Sequence, residues 1–137
     1  CTMAIKYVKV KRLISVGRNP GEKFLARLFR GQDVLIDQIA SDIAESTTVS
    51  YPDVLACLKA MEIHVSKYVL SGQAVKFGLL GSFIPAISAK AVDSADAVTA
   101  ETIRHTRCRF YPSADFMKSL AKSKYELADL EVNGLQQ

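Results

Sequence analysis

The sequence predicts an α+β fold: a helical hairpin, a small antiparallel β-sheet with an extended arm, a short C-terminal helix, and an N-terminal β extension. Three observations carry that expectation. Residues 34–46 and 51–70 repeat apolar side chains at helical spacing. Residues 74–90 change to strand-like alternation around a Gly-Leu-Leu-Gly turn, and residues 103–111 read as a further strand. Residues 4–12 interleave Lys with Ile, Val and Tyr, as an exposed edge strand does.

The elements follow in chain order. After the first strand, Gly17-Arg18-Asn19-Pro20-Gly21 has turn composition. Residues 23–30 suit a strand or a helix, with a strand preferred. Leu35, Ile36, Ile39, Ala40, Ile43 and Ala44 form one apolar stripe of a first helix, with Asp37, Gln38, Asp42 and Glu45 on its other side. Ser50 caps a second helix, Pro52 lies in its first turn and Asp53 suits its positive end. Leu55, Leu58, Met61, Val65 and Val69 continue its apolar face, and Gly72 supplies the stop. That stripe is wider than the first helix alone covers, which implies another helix or another subunit against it. Phe83, Pro85 and Ile87 share one side of the outgoing hairpin strand. Residues 91–102 are small, acidic and aperiodic, and read as an arm tip or long mobile loop. Ile103 to Tyr111 is a strand. With Cys108 and Phe110 inward, His105, Arg107 and Arg109 share its outer face. Ser113 caps a last helix, with Phe116, Met117 and Leu120 inward and Lys118 and Lys122 outward. No element is assigned from about Glu126 onward. The expected division is a β-rich extension, 1–33, a main body, 34–125, and a tail, 126–137.

Charge is distributed unevenly. Residues 1–30 hold eight Lys/Arg against one acid, 31–100 hold four against eight, and 101–137 hold six against five. Basic charge is thus confined to the first 30 residues and to a cluster from Arg104 onward, a pattern that points to a polyanionic partner. No run of 18 apolar residues exists, so no membrane-spanning helix is expected. The stretch Cys1 to Arg12 lacks the apolar core of a signal peptide, and Cys1-Thr2 precedes Met3 as an added extension would. The three cysteines, Cys1, Cys57 and Cys108, are odd in number and form no CxxC, so reduced, buried thiols in a cytosolic protein are expected.

Several segments taken together resemble the HU/IHF (DNABII) histone-like family, and within it the Bacteroides-type variant with an N-terminal extension. They are Ile36-Asp37-Gln38-Ile39-Ala40 with Ala44, Val54, Leu55 and Leu58; Val75 through Phe83; and Arg109-Phe110-Tyr111-Pro112-Ser113 with Phe116, Lys118 and Leu120. The resemblance covers about residues 34–122. It implies a homodimer that binds double-stranded DNA with little sequence preference, bends it or organises the nucleoid in the cytoplasm, and performs no catalysis. It implies a dimer seam of Ile39, Ile43, Leu55, Leu58, Met61, Val65 and Phe83, and phosphate contacts from Lys90, Arg104, His105, Arg107, Arg109, Lys118 and Lys122. No cofactor, metal, small-molecule substrate or membrane is expected. The chain departs from the family pattern at the arm, where basic residues around a proline give way to Asp93, Asp96 and Glu101.

The remaining motifs have plain readings. Lys6, Lys9, Lys11 and Arg12 suit a solvated edge strand, with phosphate contact as the second reading. Arg18-Asn19-Pro20 is a turn. Gly78-Leu79-Leu80-Gly81 lacks the third glycine and following helix of a nucleotide loop. His64 and His105 have no ligand or nucleophile beside them, and Cys57 reads as core. The alternative function is a protein-interaction or assembly module on the same fold, its extension strand adding to a partner's sheet. An enzyme ranks third, because no nucleophile–base set or paired carboxylates occur.

Overall fold

A computed structural model describes residues 3–128. It is a mixed α+β structure whose chain divides into two units, one drawn from residues 1–33 and 119–137, the other Val34–Lys118. The expected tail 126–137 lies outside the described residues from position 129 onward, as does Cys1.

The larger unit begins with α1 (Ile36–Ser46) and α2 (Tyr51–Leu70). Their limits follow from local chemistry. The Thr47 hydroxyl turns back to the Ile43 carbonyl at 2.8 Å and closes α1. The Asp53 N–H donates to Ser50 Oγ at 3.4 Å, the expected cap of α2. At the other end the Gln73 N–H reaches the Tyr68 carbonyl and the Gly72 N–H reaches that of Val69, both at 3.0 Å. These two bonds form a Schellman closure, which needs the left-handed backbone that Gly72 adopts at φ 87°.

A three-stranded antiparallel sheet follows: β3 (Val75–Lys76), β4 (Gly81–Ala89) and β5 (Ile103–Pro112), in the order β3-β4-β5. Gly81 leaves no room for a side chain. Its φ is 148°, and an added Cβ would strike the Tyr111 carbonyl oxygen and lie 2.9 Å from Pro112 Cα. Between β4 and β5, residues 91–102 contain two single 3₁₀ turns, Ala95–Ala97 and Ala100–Thr102, where only a loop is expected from sequence. The Lys90 N–H donates to the Thr102 carbonyl at 2.8 Å and closes the base of this segment. Ser113 then caps α3 (Ala114–Ala121) through the Phe116 N–H at 3.0 Å, and its own hydroxyl bonds the Leu79 carbonyl, tying the helix start to the β3–β4 turn. The boundary between the two units falls inside α3.

The smaller unit is a sheet of order β2-β1-β6, with β1 (Ala4–Ile14), β2 (Gly21–Leu28) and β6 (Lys124–Leu127). The strand reading preferred for residues 23–30 holds. β6 has no counterpart in the sequence reading. It runs parallel to β1, with Ala4 opposite Lys124 and Tyr7 opposite Leu127, and the Ala128 N–H extends the ladder to the Tyr7 carbonyl at 2.9 Å.

Burial within one chain is slight. Among the described residues only Ala40, Val54 and Ala128 are buried apolar side chains. Ile39, Met61 and Ile63 remain 41%, 39% and 57% exposed, so the apolar faces of α1 and α2 are only partly covered. Two expectations are corrected by this. Cys57 and Cys108 are free thiols but exposed, not buried, and Phe116, Met117 and Leu120 on α3 are exposed as well. Both errors have one physical cause: an apolar residue on the correct face of an element is buried only if something lies over that face.

Candidate nucleic-acid interface

The β3-β4-β5 sheet has two chemically distinct faces, and the register assigns each residue to one of them. Phe83 lies opposite Phe110 and Pro85 opposite Cys108. These form the face toward α2, where ring centroids of Phe83 and Phe110 are 5.1 Å apart and those of Phe77 and Phe83 are 5.7 Å apart. An apolar groove of about 480 Å³ lies between this face and α2, lined by residues that include Met61, Val65, Val69, Phe77, Phe83 and Cys108.

The other face is cationic. Arg109 lies opposite Ile84, Arg107 opposite Ala86 and His105 opposite Ser88. On this face the longer side chains of β5 stand beside the small and apolar side chains of β4. Alternate positions on one strand are roughly 6.8 Å apart, so the three groups form a row along the β5 axis. None of the three strands contains Asp or Glu. Among the described residues no carboxylate comes within 4.0 Å of Arg107 or Arg109. Unpaired guanidinium groups on a carboxylate-free surface are ready donors for phosphate oxygens.

The structure treats the other sequence-derived candidates differently. Lys90 follows β4 and is exposed at the base of the arm. Arg104 does not join the row: a register shift between Ser88 and Ala89 leaves it without an opposite residue, at a β-bulge. Lys118 sits in the last turn of α3. Lys122 follows α3 and belongs to the smaller unit. Two residues were missed. Lys76 pairs with Ser82, and Ser82 with Tyr111, so Lys76 and Tyr111 extend the same face at the turn end. The Lys-between-apolar pattern of Val75-Lys76-Phe77 was visible, but only the pairing shows which face the lysine takes.

The arm tip is of opposite charge. Asp93, Asp96 and Glu101 are exposed there, and the Thr99 hydroxyl donates to Glu101 Oε2 at 3.3 Å. Among the described residues no three His, Cys, Asp or Glu side chains gather as metal ligands would. Among them, too, no helix is long and apolar enough to cross a membrane. Of the seam candidates, Met61, Val65 and Phe83 line the groove, Ile43, Leu55 and Leu58 are half-buried on α1 and α2, and Ile39 on α1 is exposed.

Comparison with known proteins adds a lineage to this geometry. The family described as HU domain fused to wHTH, Ig, or glycine-rich motif matches residues 3–126. A solved structure from Bacteroides vulgatus ATCC 8482, of a proposed bacterial DNA-binding protein, superimposes with a TM-score of 0.61 at 14% identity. The match covers 92% of this chain and 49% of the other, so the chain spans about half the length of that structure. At this identity the likeness is one of fold. No curated protein matches the chain.

Proposed function

Because the chain belongs to the family of HU domains fused to wHTH, Ig, or glycine-rich motifs, we propose that it binds double-stranded DNA as a homodimer, without strong sequence preference and without chemistry. The observation that carries the reading is the carboxylate-free row of His105, Arg107 and Arg109, flanked by Lys76, on the sheet face turned away from α2. Such a surface attracts phosphates regardless of base sequence, because each contact releases condensed counterions from the duplex. Lys90 and Lys118 add charge within the same unit. Contact is assigned to the strand pair and not to the arm tip, where Asp93, Asp96 and Glu101 would repel phosphate.

The dimer is inferred from the uncovered apolar side. One chain leaves the groove beside Met61, Val65 and Phe83 open, and too little apolar surface is buried for so small a unit to be stable alone. A second copy supplies matching apolar surface and doubles the cationic face. Neutralising phosphates on one side of a duplex favours bending toward the protein, which suits DNA architecture and nucleoid organisation in the cytoplasm. The N-terminal sheet and the likeness to a Bacteroides protein support the Bacteroides-type variant with an extension.

The test is a titration of a labelled random-sequence duplex at two salt concentrations. With six phosphate contacts per dimer, affinity falls on the order of 1000-fold between about 50 and 200 mM salt. Absent or salt-insensitive binding would favour the interaction-module reading instead.

A further inference from the structure

We propose that one face of the N-terminal sheet is a second, separate binding surface for the DNA backbone, an inference that rests on the DNA-binding reading above. The register of the β2-β1-β6 sheet sorts its side chains by charge. Ile5, Tyr7, Phe24, Ala26, Leu28, Tyr125 and Leu127 share one face, together with Lys9, Lys11 and Glu22. On that face the Lys11 ammonium is neutralised by Glu22 at 2.8 Å, and a cavity of about 660 Å³ is bordered by Ile5, Tyr7, Ala26, Leu28 and Tyr125. The opposite face carries Lys6 and Arg12 from β1, Lys23 from β2 and Lys124 from β6. Arg27 joins them by register, although it also borders the cavity on the other side. Glu126, across from Lys6, is the one described carboxylate on this face.

Two features separate this face from an ordinary solvated one. First, none of its cations has a described carboxylate within 4.0 Å, whereas Lys11 on the other face does. Second, Arg12 and Lys23 stand directly opposite one another in the ladder. Like charges at directly opposed positions destabilise a strand pair, and no described carboxylate lies within 4.0 Å of either cation to offset that cost. A dense row of phosphates offsets it. Val8, Val10 and Leu25 lie between the cations on this face. A duplex is the occupant chosen because only a regular polyanion complements four or five cations spread over three strands.

The experiment compares duplex affinities of the full chain and three variants over a range of salt. Arg12→Gln with Lys23→Gln removes two cations from the proposed face. Lys9→Gln with Lys11→Gln removes two from the opposite face at equal cost in net charge. Arg107→Glu with Arg109→Glu removes the row on β5. Loss of two contacts per chain, four per dimer, lowers the salt slope by about 3.6, so the affinity ratio between about 50 and 200 mM salt shrinks on the order of 150-fold in the first variant. The opposite-face variant keeps the slope of the parent. The Arg12→Gln/Lys23→Gln protein also melts no lower than the parent, because a repulsion is gone. An unchanged slope in the first variant, or an equal loss in the opposite-face variant, overturns the proposal while leaving the β5 interface standing. Failure of the parent to bind duplex in a salt-dependent way overturns both readings. Binding to phosphatidylcholine–phosphatidylserine vesicles that is lost in the first variant, with duplex binding intact, assigns the face to a membrane and overturns the proposal as well.

Discussion

Replacing Arg107 and Arg109 together by Glu is expected to weaken duplex binding on the order of 100-fold at about 0.1 M salt, with the melting temperature nearly unchanged. The magnitude follows from phosphate neutralisation: each lost contact removes close to one unit from the salt slope, and reversal adds repulsion. The stability side follows from exposure. Both side chains are exposed, opposite Ile84 and Ala86, and neither is paired with a described carboxylate. Substitutions at such surface positions change stability by about 0.5 kcal/mol or less. Fluorescence anisotropy with a labelled duplex measures the first effect and thermal melting the second. Unchanged affinity would place the interface elsewhere on the molecule.

The largest expected effect on assembly comes from Val65→Asp. Val65 is half-buried on α2 and borders the apolar groove with Met61, Val69 and Phe83. In a dimer seam the new carboxylate would lie among apolar side chains with no cation to receive it. Each uncompensated buried charge costs about 4 kcal/mol and a homodimer carries two, so the dimer dissociation constant rises by about 1000-fold at the least. Sedimentation should then show a single 15.0 kDa chain where the parent shows two. DNA binding should fall in parallel, because the two cationic faces would no longer act together. A variant that remains dimeric would exclude Val65 from the seam.

Much of this architecture is readable from local chemistry. The cap at Ser50, the stop at Gly72 and the cap at Ser113 are short-range devices, and each sits where the sequence places it. The faces of β5 are equally legible, since alternation alone sets His105, Arg107 and Arg109 against Cys108 and Phe110. What escapes sequence reading is information held in long-range pairing. β6 is four residues with no periodicity to detect, and its partner β1 lies at the other end of the chain. Lys76 and Tyr111 join the cationic face only through the register of β3 and β5 with β4. Arg104 leaves it because of a bulge that simple alternation does not foresee. The error over Cys57 differs in kind. Its position on an apolar helix suggested core, but burial depends on what covers the helix, and one chain does not cover it.

The charge reading shows the same division. The excess of Lys and Arg in the first 30 residues is evident from counting, yet counting cannot tell a neutralised lysine from an unpaired one. The ladder separates Lys11, held by Glu22, from Arg12 and Lys23, which face each other. The same ladder reasoning isolates the acidic arm tip from the basic strands that carry it.

Two copies of the chain holding one duplex across their β3-β4-β5 faces is the claim on which the rest depends. The mass of the complex formed with a short duplex, measured by sedimentation at low and then at raised salt, addresses it in one experiment. Two chains per duplex at low salt, released as free dimers when salt is raised, is the predicted result. One chain per duplex, or a complex indifferent to salt, would contradict it.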